Sequence, residues 1–113
     1  MINVSYRCED GKLTVRMAGH SGSAPAGEDL VCAACTALAY TLAQAVLDAE
    51  AQMETAPTVD LREGFGKISC QPKKIYLPGM MTIYHAVYRG FELLSTAYPT
   101  NIKVYTRGTL REE

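Results

Sequence analysis

From Leu30 to Met53 the chain runs without a glycine or a proline, and that unbroken stretch sets the terms for everything around it. Alanine dominates it, and alanine is the residue that costs least to hold in a helix. Val31, Cys35, Leu38, Leu42, Val46 and Ala49 recur at spacings of three and four. That spacing gathers them into one apolar stripe, and a helix with one stripe needs a surface to bury it against. Asp29 is placed as the N-cap, or just inside the first turn, and the helix ends before Pro57.

The surface is supplied by strands. Ile2, Val4, Tyr6 and Cys8 alternate with polar residues, and Leu13, Val15 and Met17 do the same beyond Asp10-Gly11. Two period-2 runs joined by Asp-Gly predict a β-hairpin. A second hairpin is predicted from Thr58 to Arg62 and Phe65 to Cys70, turning near Glu63-Gly64. Gln71 to Pro78 then connects to a second helix, from about Met80 to Ala97, with Ile83, Val87, Phe91 and Leu94 on one face. Gly90 weakens that helix by roughly 1 kcal/mol relative to alanine. Tyr98-Pro99 stops it, and Asn101 to Thr106 reads as a last strand. The order ββαββαβ predicts one α+β domain over the 113 residues, a two-layer α/β arrangement with a mostly antiparallel sheet and both helices on one face.

Ala18 to Glu28 reads AGHSGSAPAGE, too poor in core residues to be anything but a loop, and mobile by composition. It joins a histidine at the end of a strand to a cysteine in the first turn of a long helix. Unpaired N–H groups and the macrodipole favour a thiolate at such a helix start. An imidazole within reach takes the thiol proton and later returns it to a leaving amine. The same N–H groups are suited to an oxyanion. Spacing alone leaves plainer roles open: His20 as a hairpin cap, Cys32 as a core residue, Asp29 as a helix cap. His85 reads as surface or packing, and Cys8 and Cys70 as buried in strands. Cys32-Ala-Ala-Cys35 also has the C-x-x-C spacing of thiol-redox proteins, although those motifs follow a strand directly. A zinc site needs a second matched pair of ligands, which Cys8, Cys70, His20 and His85 do not form, so no metal is expected.

Composition excludes less dramatic alternatives. Apolar residues make up 48% of the chain, enough for a core without disulfides. Lys and Arg number 11 against 12 Asp and Glu, and the basic residues are dispersed along the chain. That balance predicts no direct nucleic-acid binding and no anionic membrane partner. No stretch approaches the roughly 18 apolar residues of a membrane span. The N-terminus lacks a signal pattern, so a cytoplasmic protein with reduced thiols is expected.

The stretch Gly19 to Leu38, G-H-S-G-S-A-P-A-G-E-D-L-V-C-A-A-C-T-A-L, resembles the signature of the ribosomal-processing cysteine protease family. That signature runs Gly-His-Ala, a loop, then Gly-x-Asp-Ile-Val-Cys-Ala-Ala-x-Ser-x-Leu. The resemblance places its glycine and histidine on Gly19 and His20, its loop-ending glycine on Gly27, its aspartate on Asp29 and its nucleophile on Cys32. Thr36 stands for its serine, and Cys35 falls at a variable position. Ser21 and Thr36 depart from the signature without removing a catalytic group.

The resemblance implies a cysteine endopeptidase that removes the N-terminal extension of bacterial large-subunit ribosomal protein twenty-seven, acting as a homodimer without metal or organic cofactor. In that reading Cys32 attacks as thiolate and His20 serves as base, then acid. Asp29 caps the helix and orients the site, and the N–H groups of Cys32 and Ala33 form the oxyanion hole. Ser21, Gly22, Ser23, Ala24, Pro25, Ala26 and Gly27 form a lid that orders over the peptide. Two rival readings remain: a non-catalytic ribosome-associated or assembly protein, and a thiol-redox protein using the C-x-x-C.

Overall fold

Two hairpins lay down most of the sheet. β1 (Ile2–Glu9) and β2 (Lys12–Gly19) pair antiparallel from Ile2↔Gly19 to Glu9↔Lys12. Asp10 at φ 52° and Gly11 at φ 79° give the turn two left-handed residues, the type I′ geometry whose twist matches the strands. β3 (Thr58–Arg62) and β4 (Phe65–Cys70) form the second hairpin, turning through Gly64 at φ 76°. β5 (Ile102–Gly108) runs parallel to β1, and the order across the sheet is β3-β4-β2-β1-β5. The structure, a computed structural model, describes residues 1–19 and 26–108, with backbone alone at 26–29 and 107–108.

Helices α1 (Ala26–Asp48) and α2 (Leu77–Ala97) cover one face of this sheet. Val4, Tyr6, Leu13, Val15 and Ile68 point up from the strands into a core closed by Val31, Leu42, Val46, Tyr84 and Phe91. The α+β fold and the ββαββαβ order stand as expected from the sequence.

Five details differ. α1 begins at Ala26, ahead of Asp29, which becomes a first-turn residue and not the cap. It ends at Asp48, with a short 3-10 turn at Glu50–Gln52 beyond it. α2 starts at Leu77, because Pro78 is well suited to the first turn of a helix, where its missing N–H costs nothing. Its buried stripe is Met80, Tyr84, Val87, Tyr88 and Phe91, and Ile83 is left exposed. The tyrosines displace it because a phenol can bury its ring and still find a partner. The Tyr84 hydroxyl donates to the Ile68 carbonyl at 3.2 Å, and the Tyr88 and Thr106 hydroxyls lie 2.9 Å apart.

The fifth concerns membranes. Leu30–Asp48 is 19 residues long with mean hydropathy 1.8, long and apolar enough by composition to cross a bilayer, against the expectation that no segment approaches it. Alanine raises that average while offering little side chain. Here the helix's stripe packs on the sheet, and Gly90 of α2 explains how closely. A Cβ at Gly90 would meet the Leu38 side chain at 2.8 Å, so the glycine lets the two helices approach.

Candidate active site

Gly19 ends β2, and its position is fixed from three sides. Its φ is +109°, and a Cβ built on it would collide with the Met1 carbonyl oxygen, so only glycine fits. Its N–H donates to the Gly64 carbonyl at 3.0 Å, which draws the β3–β4 turn against the end of β2. α1 passes over the same end of the sheet. Between them lies a cavity of about 390 Å³, walled by Met17, Ala18 and Gly19, by Cys32, Cys35, Thr36, Ala39 and Tyr40 of α1, and by Leu61 through Phe65 of the second hairpin.

Cys32 is half-buried on the helix wall of this cavity. It is the seventh residue of α1, in the second turn, and not in the first as the sequence suggested. The N–H groups without an intrahelical acceptor belong to the first turn of a helix, ahead of Cys32. Those of Cys32 and Ala33 lie beyond them, inside the helical ladder. The helix-end charge, strongest over the first turn, also falls short of Cys32.

Thr36 lies one turn on, and its hydroxyl donates back to the Cys32 carbonyl at 2.8 Å. It therefore fastens the backbone beneath the thiol. Cys35 also reaches the cavity wall but is only 2% exposed. Burial, with a lesser push from Cys32, raises its thiol from 9.0 to about 11, so it stays protonated at neutral pH. A buried, protonated thiol is a poor redox partner. None of the four cysteines is in a disulfide.

His20 lies outside the described residues, as do the lid residues Ser21, Gly22, Ser23, Ala24 and Pro25. Ala26 and Gly27 are helical backbone, and the Asp29 side chain is not described. Gly19, the residue before His20, shares the cavity with Cys32. His85 is half-buried and packs edge-on against the Tyr6 ring at 5.6 Å, a packing role away from the cavity.

Sequence reasoning missed the wall opposite Cys32. The Leu61–Phe65 turn reaches the site only through the pairing of β2 with β4, which sets Ala18 opposite Phe65, while Tyr40 joins the helix wall from two turns beyond Cys32 on α1. The Glu63-Gly64 turn was visible in the sequence; its neighbour was not.

An α+β domain presenting a helix thiol on the wall of an open groove is the frame of a cysteine peptidase. The family model described as "Cysteine protease Prp" matches residues 1–103, and the chain belongs to that family. Solved structures agree in fold. A Streptococcus mutans protein matches with a TM-score of 0.69 at 24% identity, covering 96% of this chain and 95% of its own. The essential ribosomal-processing protease Prp of Staphylococcus aureus, solved with a substrate peptide, matches with a TM-score of 0.71 at 20% identity, covering 95% of this chain and 100% of its own. The same enzyme with a covalently linked product peptide gives 0.69 at 21% identity, with the same coverage. Among curated proteins none matches.

Proposed function

We propose that this cysteine protease is an endopeptidase of ribosomal-protein processing, cutting the N-terminal extension from large-subunit ribosomal protein twenty-seven. The observation that carries the reading is the shared cavity: Cys32 on its helix wall, and Gly19, the residue that leads into His20, on its strand wall. His20 takes the Cys32 proton, the thiolate sulfur attacks the scissile carbonyl carbon, and the imidazolium then protonates the departing amine. Water, deprotonated by His20, releases the acyl group from sulfur. The apolar stretch of the wall, with Met17, Leu61, Phe65 and Tyr40, suits an extended peptide carrying apolar side chains.

Because the N–H groups of Cys32 and Ala33 lie inside the helix, their use as an oxyanion hole requires the turn Ala26–Asp29 to open. Peptide binding and the opening of that turn are then one event, with Ser21 to Gly27 closing over the peptide. Asp29 is positioned within that turn to steady it. The protein acts in the cytoplasm as a homodimer. Leu30, 61% exposed on α1, is a residue that such a dimer would cover. Light scattering should then read twice 12.3 kDa; a monomer at micromolar concentration removes the dimer from the reading.

The deciding experiment incubates the reduced protein with the extended ribosomal protein of its own organism and reads products by mass spectrometry. Wild type should give a single cut, Cys32→Ala none, and Cys35→Ser a rate within about twofold of wild type. No cut by wild type moves the reading to a ribosome-associated binding protein. Loss of function in Cys35→Ser moves it to thiol redox.

A further inference from the structure

The face of the sheet that the helices leave bare concentrates cations in a way the linear sequence conceals. Strand pairing sets residues into rows that share a face: Asn3 with Ala18, Phe65 and Arg62; Ser5 with Arg16, Lys67 and Asp60; Arg7 with Thr14, Ser69 and Thr58; Glu9 with Lys12. Lys103 of β5 sits opposite Asn3. These rows alternate with the core residues and point away from the helices.

Among the described side chains, Arg7, Lys12, Arg16, Arg62, Lys67 and Lys103 thus share one face with two carboxylates, Glu9 and Asp60. The chain as a whole carries 11 cations and 12 acids, so this face departs from the average. The two acids are already engaged, Glu9 by Arg7 at 3.5 Å and Asp60 by Arg62 at 3.2 Å. Lys12, Arg16, Lys67 and Lys103 have no carboxylate partner among the described residues. Three of them surround a depression of about 490 Å³ whose lining, Ser5, Arg7, Glu9, Lys12, Thr14, Arg16 and Lys67, is polar throughout.

We infer that this bare face is a binding surface for single-stranded RNA. The inference is independent of the peptidase reading. An excess of unpaired ammonium and guanidinium groups on one face draws a phosphate backbone and releases its counterions. Hydroxyls of Ser5 and Thr14 stand between the cations as additional partners for phosphate or ribose. Flat groups are present for bases: the Arg16 and Arg62 guanidiniums lie 5.0 and 4.7 Å from the Phe65 ring, and the Tyr105 ring is 42% exposed.

Other occupants fit less well. A second copy docked face to face would oppose like charges. A membrane surface calls for apolar side chains to insert, and Phe65 is held under two guanidiniums. The overall charge of -1, which alone suggests no affinity for nucleic acid, averages away a division between the two sides of the molecule.

The test measures fluorescence anisotropy of a mixed-sequence single-stranded RNA of about 12 nucleotides, titrated with the full-length protein at low and moderate salt. With about four phosphates neutralised, log K should fall with log salt at a slope of about −3. Arg16→Glu with Lys67→Glu should weaken binding at least about tenfold and flatten the slope. The milder Arg16→Gln with Lys67→Gln should do the same to a lesser degree, which guards against misfolding of the first pair. Lys73→Glu with Lys74→Glu, outside the face, should change affinity less than about twofold. Absence of binding at low salt overturns the inference. So does equal weakening by the Lys73 and Lys74 pair, or equal affinity for a polyglutamate peptide or anionic vesicles.

Discussion

The interior beneath the helices and the end of the sheet that carries Cys32 are neighbours built to opposite specifications. In the interior, Tyr6, Leu13, Leu42, Ile68, Tyr84 and Phe91 are each sealed from water, and even the hydroxyl of Tyr84 is satisfied by a strand carbonyl. At the sheet end small residues, Ala18, Gly19, Ala39 and Gly64, stand among the larger side chains of the wall, and the space between them is left open. The lesson is that one helix serves both. α1 holds its later turns in the core through Leu42 and Val46, and that anchorage positions Cys32 on the cavity wall, half in the core cluster and half out of it.

The contrast can be broken by substitution. Phe91→Ala should cost about 3–5 kcal/mol of folding stability in urea denaturation, since a ring-sized void opens in a closed interior. Cys32→Ala, at the open end, should cost under about 1 kcal/mol while abolishing cleavage. A large loss of stability in Cys32→Ala would show that the thiol is a core residue first.

Alkaline titration sharpens the same division. Cys35, Cys70 and Tyr84 all have their pKa raised by burial. A group that holds its proton more tightly when folded stabilises the fold fully below its ordinary value and stops doing so as pH rises through the folded one. The urea midpoint should therefore hold to about pH 8. It should then fall between 9.0 and about 11, with Cys35 alone accounting for up to about 3 kcal/mol. Cys35→Ala should flatten that part of the curve, and an unchanged curve would place the alkaline transition elsewhere. A smaller effect is expected at the boundary between the two regions. Gly19→Ala forces a left-handed residue against the Met1 carbonyl and should cost about 1–2 kcal/mol, together with a drop in cleavage as the strand end shifts. Unchanged stability would mean that the strand end yields without strain.

What could be read from the sequence follows the range of each interaction. Both hairpins and their turns were legible because Asp10-Gly11 and Glu63-Gly64 act on immediate neighbours. The α1 stripe was legible because it repeats over many turns. The motif from Gly19 to Cys32 carried the family, although its central residues lie outside the described structure. The far wall of the cavity and the cationic face were not legible. Both arise from the register of β2 on β4, which no local pattern encodes. The tyrosine stripe of α2 was missed because a phenol reads as polar until its partner is known. The early start of α1 was missed because glycine and proline around residues 22 to 27 signal a loop more strongly than Ala26-Gly27 signals a helix.

The parallel pairing of β1 with β5 carries a consequence for how the chain comes into being. Ile2 lies against Ile102, so β1 waits for β5 to leave the ribosome before its outer edge is paired. During synthesis β1 can zip with β2 within moments, yet its other side stays an open row of amide and carbonyl groups until residue 102 and beyond have emerged. Closure of the sheet is therefore the slow, long-range step of folding, dominated by the entropy of joining chain ends. A chain cut short before Ile102 would leave that edge open to any extended segment nearby, and would be the species most prone to aggregate.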